Sequence, residues 1–543
     1  MTISTHENVQ ASRFGRLGAV GAGVAVALAG ILLPTSASAA ANALPDDSNL
    51  TVAPIGHVDS PKTYFENDEF VLKGHFGRNN NVPLDTALHH LGKSYLGSRN
   101  MYVFTVPENA PELDFLGEAG DNWYMGYFGS DVARIAIWAG FGAESNIPVE
   151  EFRDATFTLD LVSVDGPGRV ELFTWAEGFE EEEAGMLGRM FSSTDPAFRS
   201  FFMVPGSHTH NYTLFSAPGR YDVKYRATAR KADGTLLTSR ESVARWQVGG
   251  ARPPTAGLST SSTRTATVPT LTVGPATGAN EPDSRVVPKL DRLRVDMGAD
   301  VAGTATFLIN GYKLADVALS NGVAEMVDLL GSAENEIQAQ VRGVDGQVVF
   351  TSDPVSYEHG GQAATTTATA EALVDKSPAP SLHFPITEVT AAADPVVNIT
   401  LAPGERGTLQ GTFTVSDPTA LGKVQVAAYS KSTDKTWQVD MNFFAGGKTG
   451  PFVGQISDGA FYQDHYVVAR FIPHPFMTNL RTSEVIVTEA LNPSETTTVT
   501  LTVVRDEEPE PSESASASAT PTPEVSVTAT PEVSASASTT ASA

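Results

Sequence analysis

The chain has 543 residues, 41% of them hydrophobic, enough for several independent cores at about 100–200 residues per domain. Its formal net charge of -27 repels polyanions, which argues against nucleic acid and anionic lipid as partners. Cysteine is absent, so neither a disulfide framework nor a thiolate metal site is available.

In chain order, the first segment is a targeting signal. Arg13 and Arg16 precede the apolar stretch from Leu17 to Leu33, and Ala37-Ser38-Ala39 then supplies small residues for a signal peptidase. That order predicts a secretory signal peptide over residues 1–39, and therefore a secreted or cell-surface protein with no membrane-spanning segment in the mature chain.

Residues 44–250 carry many short β-type runs punctuated by Gly, Pro, Asn and Asp, including Asn100–Val106, Ala133–Trp138, Thr156–Val164 and Arg169–Trp175. Tyr221–Ala229 alternates apolar and polar residues, the period of a half-buried strand, and Pro218-Gly219 before it signals a turn. Glu180–Met190 is the main helical candidate, although its four consecutive glutamates favour a solvated loop or short surface helix. The expectation is a large β-sandwich with decorated loops.

A Pro/Ser/Thr linker is expected over 251–267, then an immunoglobulin-like sandwich over 268–358, a second linker over 359–380 and a third β module over 381–504. From 505 to 543 the composition turns to Ser, Ala, Thr, Pro and Glu, which predicts a disordered tail. Neither a stop-transfer helix nor an LPxTG-like sorting sequence is readable there. The fold class expected is thus all-β, a string of β-sandwich domains.

Six of the eleven histidines lie between His57 and His210. Gly56-His57-Val58-Asp59 sets an imidazole and a carboxylate two apart, and Ser207-His208-Thr209-His210 sets two imidazoles two apart. Alternate side chains of a strand share a face, so each pair can converge on one point. If the pairs meet, His57, Asp59, His208 and His210 form a three-nitrogen, one-oxygen set that suits Zn²⁺, or Mn²⁺ or Fe²⁺ with added waters. The bland alternative is that these histidines cap loops or hydrogen-bond within the sandwich rim. His75 is a weaker candidate, and the adjacent His89-His90 pair is expected in a loop. Trp138 and Trp175 are expected in the core, whereas Trp123 and Tyr124 are expected in an exposed loop.

No G-x-S-x-G elbow, H-E-x-x-H or phosphate-binding glycine loop is present, so no enzymatic activity is expected. Two readings of function follow from the residues: a non-enzymatic surface protein that binds metal, or an adhesin-like or structural protein binding a host or wall component.

GHVD at Gly56–Asp59, DGPGRVELF at Asp165–Phe173 and SHTHNYTLFSAPGRYDVKYRATA at Ser207–Ala229 resemble the choice-of-anchor M family of actinobacterial surface-anchored domains. The resemblance covers about the first two hundred residues after the signal. It implies an extracytoplasmic role in metal acquisition beside metal-type ABC transporters, whose components would be the partners. The C-terminal anchor for which the family is named is not readable, which implies release, loose association or retention by a partner. GTATFLINGYKLADVALSNGVAEM at Gly303–Met326 resembles a bacterial immunoglobulin-like repeat and implies a spacer or adhesive module.

Overall fold

The alternating pattern of the sequence becomes strands almost everywhere. A computed structural model describes residues 44–77, 80–96, 99–129, 137–175, 187–276, 290–403, 408–430, 436–441, 450–455, 465–488 and 495–506. The expected signal peptide, nearly all of the 505–543 tail and residues 180–186 of the helical candidate lie outside these residues; Leu187–Ser192, which overlaps its end, is a strand. The chain is all-β, organised as a series of β-sandwiches.

The first sandwich sets a seven-stranded sheet against two five-stranded sheets. The large sheet runs Thr51–Val52, Ala87–Leu91, Ser242–Val248, Gly219–Lys231, Phe152–Asp165, Ser200–Met203, with Leu236–Thr238 attached to Gly219–Lys231. One small sheet is ordered His208–His210, Ile137–Ala143, Gly56–Glu66, Glu69–His75, Asn81–Pro83. The other contains Val170–Trp175, Tyr212–Phe215 and Asn122–Gly126. Inward residues of all three sheets, such as Val58, Phe141, Phe157, Leu159, Leu172, Phe215 and Val223, form one continuous core. Tyr221 closes the turn before its strand by donating its hydroxyl to the Ala217 carbonyl at 2.6 Å.

Two further sandwiches follow. The second pairs a six-stranded sheet with a four-stranded one around Leu271, Leu293, Phe307, Leu314 and Ile337. The third packs two four-stranded sheets around Val397, Ile399, Phe413, Val424 and Phe471. Both segments expected as linkers contribute strands to the second sandwich. Gly257–Leu258 pairs with Tyr312–Ala318, and Ala364–Thr366 pairs with Thr270–Pro275. Their Thr/Ala-rich composition hid this, because short edge strands need few large apolar residues.

The strand expected to be half-buried is so over 221–225, where Asp222 and Lys224 are only partly covered, and over 226–230 it is covered on both faces. Tyr221, Val223 and Tyr225 face the first core, while Arg226, Thr228 and Arg230 on the opposite face are also buried. The third sandwich provides the cover through the turn His474-Pro475-Phe476-Met477. Arg153 donates to the carbonyls of Met477 and His474, and Arg230 donates to that of Pro475. The Arg226 guanidinium lies over the rings of Phe384 and Phe476. At the centre is Asp160, fully buried, which accepts from Ser200 at 2.7 Å and Thr228 at 2.6 Å and faces Arg226 at 3.3 Å. His474 Nδ1 accepts from the Phe476 N–H, so Nε2 carries the proton and points it at Asp160, 3.3 Å away. Burial lowers the pKa of His474. Asp160 is held well below the usual carboxylate range by the His474, Arg226 and Thr228 bonds, which outweigh its burial. A buried charge is tolerated only when paired and hydrogen-bonded, and here every partner lies on the docked surfaces.

Among the described residues, no helix is long and apolar enough to cross a membrane.

Candidate metal centre

The four residues singled out in the sequence come together on one sheet. Their two segments do not pair with each other; each pairs with the strand between them, Ile137–Ala143. Gly56–Glu66 runs parallel to it, setting His57 opposite Trp138 and Asp59 opposite Gly140. His208–His210 runs antiparallel on its other edge, setting His210 opposite Gly140 and His208 opposite Gly142. Opposed residues share a face, so His57, Asp59, His208, His210 and Trp138 all project from the face away from the core. The alternate residues Val58, Ala139 and Phe141 point into the core.

One potential ligand atom from each of His57, Asp59, His208 and His210 lies within 4.8 Å of the others. First-shell bonds of about 2.0–2.3 Å place tetrahedral ligand atoms roughly 3.3–3.8 Å apart, so closure on an ion asks for ring movements on the order of 1 Å. Glycine makes the approach possible. A Cβ at Gly140 would stand 2.1 Å from the Thr209 carbonyl oxygen and 2.9 Å from His210 Nδ1. At Gly142 it would stand 2.9 Å from the Ser207 carbonyl oxygen and 3.0 Å from the His208 Cβ.

The inner half of the cluster is desolvated and preset. The His210 ring stacks on Trp138 at 3.9 Å with an 18° tilt, and the indole is fixed by its N–H to the Phe128 carbonyl at 2.7 Å. His210 Nδ1 lies 3.2 Å from the Ala139 carbonyl, which can only accept. Nδ1 therefore carries the proton and Nε2 offers its lone pair, the orientation a metal-ligating histidine adopts. That Nε2 is buried and has no hydrogen-bond partner; neither has Asp59 Oδ1. Two orphaned buried acceptors in one cluster cost on the order of 1–3 kcal/mol each, a cost a shared cation removes. The donor set therefore fits an ion.

Burial disfavours the charged form of two of the imidazoles. Burial lowers the pKa of His210 to about 4, and it lowers that of His57 against the pull of Asp59, whose Oδ1 is 3.6 Å from His57 Nε2. The outer half is open: His208 is exposed and the His57 side chain is 36% exposed. An ion seated here keeps at least one face toward solvent.

The other candidates fall elsewhere. His75 lies outside the four, with Nδ1 bonded to Asn81 Oδ1 at 2.6 Å. His89 and His90 are on the Ala87–Leu91 strand rather than in a loop; His89 is fully buried, stacked on Trp246 at 4.7 Å, and burial lowers its pKa to about 4. Trp123 and Tyr124 are buried in the Asn122–Gly126 strand, not exposed: the Pro111–Leu116 turn packs on Trp123, its Leu116 carbonyl accepting the indole N–H, while Tyr124 on the other face lies in the main core with its hydroxyl on Asp328. Trp175 is in the core, whereas Trp138 is half-buried and belongs to the histidine cluster. Sequence reading missed the part played by Gly140 and Gly142. Their spacing in Ala139-Gly140-Phe141-Gly142-Ala143 carried the signal, since glycine on alternate positions of a strand marks close approach of another chain segment.

A cavity of about 330 Å³ between the first and second sandwiches shares no lining residue with this cluster. Its charges are already matched: Arg220 grips Asp47 through two bonds, and Lys313 reaches both Asp47 and Asp316.

No family model and no curated protein matches the chain. Among solved structures, the central fibronectin-III array of RIM-binding protein is similar over 60% of this chain and 83% of that one, at 10% identity and a TM-score of 0.11. So low a score adds nothing to the fold, which rests on the sheets themselves.

Proposed function

We propose that this chain is an exported, non-enzymatic surface protein that captures a divalent transition metal, zinc before manganese, and serves a metal-uptake ABC transporter. The observation that carries the reading is the pair of orphaned buried acceptors, Asp59 Oδ1 and His210 Nε2, in a cluster with His57 and His208. Three imidazoles and one carboxylate favour zinc on ligand chemistry; manganese prefers more oxygen donors. The open outer face suits an ion that is taken up and passed on rather than one kept as a structural staple. The export signal and the resemblance to choice-of-anchor M domains support the location and the transporter link. Trp123 and Tyr124 are buried, so these two aromatics supply no exposed patch for an adhesin-like head.

Thermal unfolding of the full chain in graded zinc tests this. A ligand at about 100 times its dissociation constant adds roughly 2.7 kcal/mol of stability. Zinc is expected to raise the first unfolding transition, and His208→Ala with His210→Ala to abolish the rise. An equal rise in both proteins rejects the site.

A further inference from the structure

The sheet holds a fifth imidazole beside the cluster. On the flank of Asp59 away from Ile137–Ala143 lies the Glu69–His75 strand, and its register puts His75 directly opposite Asp59. His210, Gly140, Asp59 and His75 thus form one cross-strand row spanning four strands. Directly opposed residues have Cβ atoms about 4.5–5.5 Å apart, so His75 and Asp59 are cross-strand neighbours on one face of the sheet.

The ring is set as His210 is set. His75 Nδ1 is 2.6 Å from Asn81 Oδ1, an amide oxygen that only accepts, and the Tyr64 hydroxyl lies 3.3 Å from the same nitrogen. Nδ1 therefore carries the proton and Nε2 offers a lone pair. Tyr64 is held in turn beneath Lys73, whose ammonium is 4.8 Å from the ring centre. His75 is half-buried, and so reachable from solvent, unlike Asp59.

We propose that His75 is a transfer ligand, which holds the divalent ion transiently with Asp59 as it enters or leaves the four-residue site. The exchange is of ligands only: the His75 lone pair displaces a bound water or the His57 nitrogen, and no proton or electron moves. The inference rests on the metal reading of His57, Asp59, His208 and His210.

The test uses the zinc-loaded full chain mixed rapidly with excess chromophoric chelator, alongside equilibrium titration. For His75→Ala we expect zinc stoichiometry unchanged, affinity within about threefold, and transfer to the chelator slowed about tenfold or more. Asn81→Ala, which frees the ring without removing it, is expected to fall between the two. Transfer rates equal within twofold make His75 a bystander and overturn the proposal. A loss of affinity of about tenfold or more with His75→Ala also overturns it, by making His75 a permanent ligand. Both of those outcomes leave the four-residue site standing. Failure of the unaltered protein to take up zinc removes that site and the transfer ligand together.

Discussion

Gly140 is where a single methyl group bears most heavily on the proposed site. In Gly140→Ala the added Cβ stands 2.1 Å from the Thr209 carbonyl oxygen, against an ordinary contact of 3.4–4 Å. The opposing atom is backbone, so no rotamer change relieves the contact and the His208–His210 strand must retreat by more than about 1 Å. His210 shares that movement, and its Nδ1 is itself only 2.9 Å from the new atom. Functional constellations tolerate displacements of about 0.5 Å. Zinc affinity is therefore expected to fall about 10–100-fold, the scale seen when the support of a ligating histidine is lost. The fold should persist, because His208–His210 is a three-residue edge strand that contributes little to the core. Gly142→Ala, with nearest contacts of 2.9 and 3.0 Å, serves as the graded control and should lose less. Calorimetry with zinc, read beside circular dichroism, decides it. An unchanged dissociation constant in a folded Gly140→Ala protein refutes the reasoning.

Three other outcomes are expected. Asp160→Asn leaves the buried Arg226 guanidinium with only the partly exposed Glu241, 3.9 Å away, as counter-charge, and removing one partner of such a buried pair costs about 3–5 kcal/mol; a urea-unfolding loss below about 1 kcal/mol contradicts the network's role. His89 is neutral in the fold with a pKa of about 4, against 6.5 when unfolded. As pH falls below 6.5 the unfolded chain takes up a proton that the folded one refuses, so His89 costs stability progressively down to about pH 4, by roughly 3 kcal/mol in total. His89→Gln removes that cost, so the stability gap between the two proteins should close by about that amount from pH 7 to 4; a constant gap rejects it. Because the Trp138 indole stacks on His210, zinc should alter tryptophan emission in the unaltered protein and not in Trp138→Phe; an identical change in both places the response elsewhere.

Much of the site was legible because it depends on a local rule. A period of two turns His57-Val58-Asp59 and His208-Thr209-His210 into pairs on one face wherever those strands lie in the sheet. That the two pairs meet was not legible, since neither pairs with the other and the strand between them joins one of them in parallel register. The same limit explains the errors. Trp123 reads as a loop residue until the Pro111–Leu116 turn closes over it. Arg226, Thr228 and Arg230 read as the wet face of a strand because their cover comes from His474–Met477, more than two hundred residues away. His89 reads as a loop residue because an imidazole buried between Trp246 and Phe76 carries no local signature.

Calorimetric titration of the full chain with zinc and then manganese asks whether His57, Asp59, His208 and His210 hold a metal. Stoichiometric zinc binding and weaker manganese binding are expected, with both lost in His208→Ala with His210→Ala. Absence of binding by the unaltered chain, or equal binding by the variant, would contradict the metal reading and return these histidines to a structural role.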